Sequence, residues 1–194
     1  MPNSLIIGYT SSIGKAIYDE CNRRSENGAA GIGSREQDNI NDKDTKNAIV
    51  SKAIDMDHIY IIPSGKSTIK NSFRVSQIEL LCDLYEAYKD TPKKIIVISS
   101  SSPEQRPSAH MMRAKISIDT QLYDVAKYAL DKICLDLNYR KNRCQIINIK
   151  SGAITGSRHG PGQGLDVDKL ANTVCNIVDL SSDMRIISTT IIPY

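Results

Sequence analysis

The sequence predicts one doubly wound α/β domain, a mostly parallel β-sheet with helices on both faces. Three observations lead there. Short β-branched runs alternate with amphipathic helical stretches along the whole chain, and no tight hairpin signal joins two runs. The most apolar run, residues 94–99, is of the uninterrupted kind buried on both faces of a parallel sheet. A chain of 194 residues supports one well-buried core and leaves little for a second, so residues 1–194 are taken as one domain.

In chain order, Leu5-Ile6-Ile7 is a strand ending at Gly8, and Ile13, Ala16, Ile17 and Cys21 follow at helical spacing. Residues 30–33, small enough for close packing, form a second short strand. Asp42 is an N-cap, because its carboxylate can accept the open amides of the next turn, and the helix behind it carries Ala48, Ile49 and Ala53. Strand 58–62 stops at Pro63-Ser64-Gly65. Helix 73–88 places Val75, Ile78, Leu81, Cys82 and Tyr85 on one face. Strand 94–99 is followed by helix 122–137, whose apolar repeat is Leu122, Val125, Ala126, Ala129, Leu130, Ile133 and Leu137. Strand 144–149, helix 167–180 and strand 185–192 complete the alternation. The irregular stretches 101–120 and 155–166 are long enough to suggest function.

Composition narrows the classes. Hydrophobic residues are 40% and charged residues 24%, as in ordinary folded domains. The net charge of +3 is dispersed, so nucleic acid is not an expected partner, and Arg23-Arg24 is expected as a solvated helix end. The apolar runs are too short to cross a bilayer, and the first residues carry no basic n-region; a cytoplasmic protein without membrane contact is expected. Five cysteines, with no CxxC pair, are expected as buried small hydrophobes in a reducing compartment. The three histidines are far apart, and no metal site is expected.

Two stretches carry chemistry. In Ile7-Gly8-Tyr9-Thr10-Ser11-Ser12-Ile13-Gly14, Gly8 permits a tight turn and Gly14 lets helix and sheet approach. The helix N-terminus then offers amides and a positive dipole end to a pyrophosphate, helped by the Thr10 and serine hydroxyls. In Tyr123-Asp124-Val125-Ala126-Lys127 the phenol and ammonium are four residues apart and share a helix face, where the ammonium favours the phenolate and the pair can move a proton at a carbonyl or alcohol.

In this order the motifs resemble those of the short-chain dehydrogenase/reductase family over nearly the whole chain. IIGYTSSIGKAI resembles the family's TGxxxGIG dinucleotide loop, with Ser12 where the middle glycine stands. IIVISSSS resembles the strand that ends in the catalytic serine, YDVAKYALDKICLDL the active-site helix, and CQIINIKSGAIT the VNxxxPGxV strand and loop. The resemblance implies a Rossmann fold and an NAD(P)-dependent oxidoreductase acting on a small carbonyl or alcohol substrate. Tyr123 would be acid/base, Ser100 would hydrogen-bond the substrate oxygen, and Lys127 would assist the phenol and hold the ribose.

The implied cofactor set is Gly8, Thr10, Ser11, Ser12, Ile13, Gly14, Ser34, Arg35, Asn39, Ile40, Ser64, Gly65, Lys127 and Ile154. Arg35 stands where relatives hold the adenosine 2′-phosphate and no acidic residue ends that strand, so NADP is preferred over NAD. A homodimer or homotetramer paired through helices 73–88 and 122–137 is implied by the same analogy.

There are departures. NNAG becomes Ile62-Pro63-Ser64-Gly65, the helix asparagine is Ser76 or absent, and PGxVxT is reduced to SGAITG. The wide spacing from Ser100 to Tyr123 leaves Ser99, Ser101, Ser102 and Ser108 open as the catalytic serine. The substrate lid is reduced to residues 155–166, glycine-rich and carrying Arg158, so an open pocket is expected. Two other readings remain: a catalytically silent dinucleotide-binding sensor, scaffold or assembly component, and a protein of this fold that binds another phosphate-bearing ligand.

Overall fold

Strands whose residues alternate between two apolar faces need a helix layer on each side, and the computed structural model has that arrangement. It describes residues 3–25, 28–33, 40, 42–62, 72–101, 118–140, 142–152, 154 and 164–192. In order these form β1 (Ser4–Ile7), α1 (Ser12–Arg24), β2 (Ala29–Ile32), α2 (Lys43–Lys52) with a 3-10 turn over Ala53–Asp55, β3 (His58–Ile61), α3 (Ser72–Tyr88), β4 (Lys94–Ser100), α4 (Ile118–Tyr139), β5 (Gln145–Ser151), α5 (Val167–Leu180) and β6 (Ser188–Ile191). The strands form one six-stranded sheet in the order β2-β1-β3-β4-β5-β6, and every neighbouring pair is parallel. The chain reverses its direction of winding at β1, so a crevice opens between the C-terminal ends of β1 and β3, where open α/β sheets bind ligands.

Alternation divides the core. Leu5, Ile7, Ile59, Ile61, Ile95, Val97 and Ile146 face α2, α3 and α4. Ile6, Tyr60, Ile96, Ile98, Ile147 and Ile149 face α1 and α5. The Asp42 carboxylate caps α2 through the Thr45 amide at 2.8 Å, as expected. No described helix is long and apolar enough to cross a membrane.

Three details differ from the sequence expectation. Val125, placed on the apolar face of its helix, is 66% exposed. The buried stripe of α3 runs through Gln77, Leu80, Leu81, Leu84, Tyr85 and Tyr88, whereas Cys82 and Ile78 are half-buried. Arg24 is no solvated end: it donates to Glu20 on its own helix and reaches Asp179 at 2.8 Å and the Asn176 side chain at 2.8 Å on α5. Its charge therefore ties α1 to α5.

His58 opens β3 in a buried position. Burial, reinforced by the Lys94 charge against the weaker pull of Asp57 and Asp179, lowers its pKa to about 4. The unfolded chain therefore binds a proton that the native state refuses. The stability of the neutral form is complete above pH 6.5 and falls by about 3 kcal/mol as pH drops to 4. Glu20, held at about 2 chiefly by the Arg23 hydrogen bond and also by Arg24, adds its own loss only below about pH 4.5, at the foot of this window. Urea unfolding at pH 7 and pH 5 should show the loss, and His58→Gln should flatten it; equal slopes for both proteins would contradict this assignment.

Candidate functional site

The turn after β1 is built by two glycines and a serine. Gly8 has φ +90°, in the left-handed region that favours glycine, and a Cβ there would lie 2.7 Å from the Ile62 carbonyl oxygen. Its amide donates to the Ile32 carbonyl at 2.7 Å, which sets the turn between the ends of β2 and β3, at the crevice. Ser11 closes the turn. Its hydroxyl donates to the Gly8 carbonyl at 2.9 Å and accepts from the Gly14 amide at 3.0 Å as the N-cap of α1.

That hydroxyl, expected to assist an anion, therefore serves the turn itself. The first-turn amides of Ser12 and Ile13 have no intrahelical acceptor by the geometry of a helix start, and they point out of the crevice end of α1. A Cβ on Gly14 would come within 2.1 Å of the Gly8 carbonyl oxygen, so helix and turn touch backbone to backbone. Thr10, Ser12 and Tyr9 are exposed around the opening. The Tyr9 ring lies over Gly31 of β2, 5.6 Å from the ring of Tyr18.

Helix α4 runs antiparallel to the strand beside it. Asn138 bonds both backbone groups of Ile146 at the start of β5, with its amide on the carbonyl at 2.6 Å. One helical stretch earlier, Asp131 accepts from the Asn148 amide at 2.7 Å and lies 3.7 Å from the Lys150 ammonium, farther along the same strand. Lys127 and Tyr123 continue this line at four-residue intervals, so they lie toward the C-terminal rim of the sheet, the rim that carries the Gly8 turn. The Lys127 ammonium is 5.6 Å from the centre of the Tyr123 ring. The spacing therefore sets the lysine against the ring of the tyrosine.

Lys127 is only 5% exposed, and its ammonium donates to the Gln77 carbonyl oxygen at 3.0 Å. Gln77 was not singled out in the sequence. Its signal was position: three and four residues before Leu80 and Leu81, it falls on the buried stripe of α3. Among the described residues, the Gln77 amide nitrogen, the Ser99 hydroxyl and the Asn148 amide oxygen are buried without a hydrogen-bond partner, and alternation places Ser99 and Asn148 on the α4 side of the sheet. Polar groups thus lie between α3, α4 and this face of the sheet. Gln77→Leu would remove an acceptor from a buried ammonium and should cost about 2 kcal/mol in urea unfolding; a cost below about 0.5 kcal/mol would show the bond to be dispensable.

The serines at the end of β4 differ. Ser101 spends its hydroxyl on the Ser151 carbonyl at 3.2 Å, Ser99 is buried, and Ser100 is half-buried at the last strand position, paired in register with Ser151. Ile154 forms a single parallel bridge with Leu165 and packs on the α1/α5 side of the core. Ile40 packs against the opposite side. Ser34, Arg35, Asn39, Ser64, Gly65, Ser102, Ser108 and Arg158 lie outside the described residues.

No protein-family model matches the sequence, and no curated protein matches it. Solved structures do match the fold. A serine dehydrogenase from Escherichia coli superposes with TM-score 0.65 at 12% identity, over 98% of this chain and 97% of that one. A 3-alpha-hydroxysteroid dehydrogenase from Pseudomonas sp. B-0831, complexed with NADH, gives TM-score 0.70 at 15% identity, over 97% and 94%. An alcohol dehydrogenase from the archaeon Thermococcus sibiricus, complexed with 5-hydroxy-NADP, gives 0.68 at 14% identity, over 99% and 96%. The fold is a Rossmann fold, like that of these dehydrogenases.

Proposed function

Starting from that fold, we propose that the chain is an NADP-dependent oxidoreductase interconverting a carbonyl and an alcohol. The observation that carries this reading is the placement of the Lys127–Tyr123 pair toward the same sheet rim as the Gly8 turn. The turn suits a dinucleotide: Gly8 supplies the left-handed bend, Gly14 removes the side chain that would push helix from strand, and the first amides of α1 face the opening.

In this reading the amides of Ser12 and Ile13, with Thr10, hold the pyrophosphate. Arg35 and Ser34 take the adenosine 2′-phosphate, and Asn39 and Ile40 flank the adenine. Ser64, Gly65 and Ile154 line the path to the nicotinamide, and Lys127 holds the ribose. The bound nicotinamide supplies or accepts the hydride. Tyr123 gives its hydroxyl proton to the substrate carbonyl oxygen in reduction and takes it back in oxidation. Ser100, at the end of β4, hydrogen-bonds the same oxygen. Gln77 holds the Lys127 ammonium in place and acts on the chemistry only through it.

Titration with NADPH and NADH, followed by nicotinamide fluorescence, together with turnover across a panel of small carbonyls, tests the reading. NADPH should bind more tightly than NADH, and at least one carbonyl should be reduced. Binding without turnover would favour a silent dinucleotide-binding protein, a reading that the deep burial of Lys127 also suits. Failure of both dinucleotides to bind at millimolar concentration would remove the proposal.

A further inference from the structure

A second constellation lies at the opposite end of the sheet. A cavity of about 470 Å³ opens at the N-terminal ends of β1 and β3, between α1 and α5, lined among others by Cys21, Cys175, Tyr60, Arg24, His58 and Asp179. Ser4 and His58, the first residues of their strands, lie on its wall, so it is separated from the Gly8 turn by the length of the strands, on the order of 13 Å. Cys21 on α1 and Cys175 on α5 are 154 positions apart in sequence, yet their sulfurs are 4.0 Å apart. Both belong to the cavity wall although little of either is exposed, 6% and 3%.

We propose that Cys21 and Cys175 form a reactive dithiol, a site of reversible disulfide formation with low-molecular-weight disulfides that enter this cavity. The sulfurs are in contact, and rotation of the two side chains must bring them about 2 Å closer to form a bond of normal length. The helices carrying them are held together by Arg24, which is bonded on one side to Glu20 and on the other to Asp179 and Asn176. This frame resists separation of the pair.

The surroundings favour one thiolate and disfavour two. The Cys175 thiol hydrogen-bonds Cys21, Tyr60 and Ser4 add hydrogen bonds, and the Arg24 charge helps, so Cys21 ionises more readily than an ordinary thiol despite its burial. Once Cys21 is charged, Cys175 is pushed up. At the remaining cysteines burial outweighs the nearby cations: it raises Cys82 and Cys134, and lifts Cys144 to about 12.

The chemistry balances with the disulfide as oxidant. The Cys21 thiolate attacks one sulfur of the small disulfide, its S–S bond breaks, and the first thiol leaves carrying a proton from solvent. Cys175 then loses its proton and attacks the Cys21 sulfur, and the second thiol leaves. The protein dithiol is oxidised by two electrons and one small disulfide becomes two thiols. The product bond joins α1 to α5.

The test uses the reduced full-length chain incubated with oxidised glutathione, then alkylated in denaturant and mapped by mass spectrometry. Alkylation should fall by two thiols from the five of the reduced chain, and one cross-linked peptide pair should contain Cys21 and Cys175. The oxidised form should melt several degrees higher and return to the original midpoint with dithiothreitol. Cys175→Ser should trap glutathione on Cys21, and Cys21→Ser should take up far less. Retention of all five thiols over a glutathione series that oxidises an ordinary vicinal dithiol would overturn the proposal. So would a stable glutathione adduct in place of the internal bond in the unmutated chain, or cross-links through Cys82, Cys134 or Cys144.

Discussion

Replacing Tyr123 with phenylalanine should lower turnover about a thousandfold while leaving NADPH affinity within about twofold. The substitution removes one hydroxyl and keeps the ring over which the Lys127 ammonium sits at 5.6 Å, so the helix and its packing should be undisturbed. The loss would then fall on kcat, as expected for a group that acts on the reacting oxygen and contributes little to ground-state binding. Stopped-flow turnover and a fluorescence titration on the same preparation separate the two effects. Turnover within about tenfold of the parent protein would remove Tyr123 from the chemistry and the oxidoreductase reading with it.

The second large effect belongs to the turn. Gly14→Ala puts a methyl group 2.1 Å from the Gly8 carbonyl oxygen and 2.7 Å from the Tyr9 Cα, and both are backbone atoms of the turn proposed to cradle the dinucleotide. No rotamer change relieves such a clash, so α1 must shift away from β1. The expected cost is about 3 kcal/mol, with at least a tenfold loss of dinucleotide affinity. Gly31→Ala is the informative contrast. Its added methyl also meets a neighbour, at 2.6 Å, but that neighbour is the Tyr9 ring, an exposed side chain that can swing aside. Thermal melts and NADPH titrations of the two variants should therefore differ widely, and equal behaviour would show that the Gly14 contact is not what holds the cradle.

Much of this architecture was legible because its signals are local. The β-branched runs, the Asp42 cap and the spacing of Gly8 and Gly14 each follow from a few consecutive residues, and the observed elements lie within a few positions of where periodicity puts them. Errors arose where polar side chains turn inward. On α4 the inward arc carries Tyr123, Lys127 and Asp131, so the apolar repeat that includes Val125 points partly at solvent. Pattern reading assigns charged residues to the outside, and here a glutamine on α3 and an asparagine on β5 make the interior hospitable to them.

Gln77 is ambiguous in sequence, because its type says surface while its spacing says core. Arg24 and the Cys21–Cys175 contact were invisible for a different reason. They depend on how α1 meets α5, an encounter between segments some 150 residues apart that no local pattern encodes.

The lone bridge between Ile154 and Leu165 has an engineering consequence. It pins the two stems of the intervening segment side by side on the scaffold, so the ends of any replacement would already be positioned. Closing a longer insert between fixed stems costs only about 0.6 kcal/mol for each doubling of its length. Under the proposed function, segments of varied length grafted at this point should change substrate preference while the proposed cradle and phenol stay as they are.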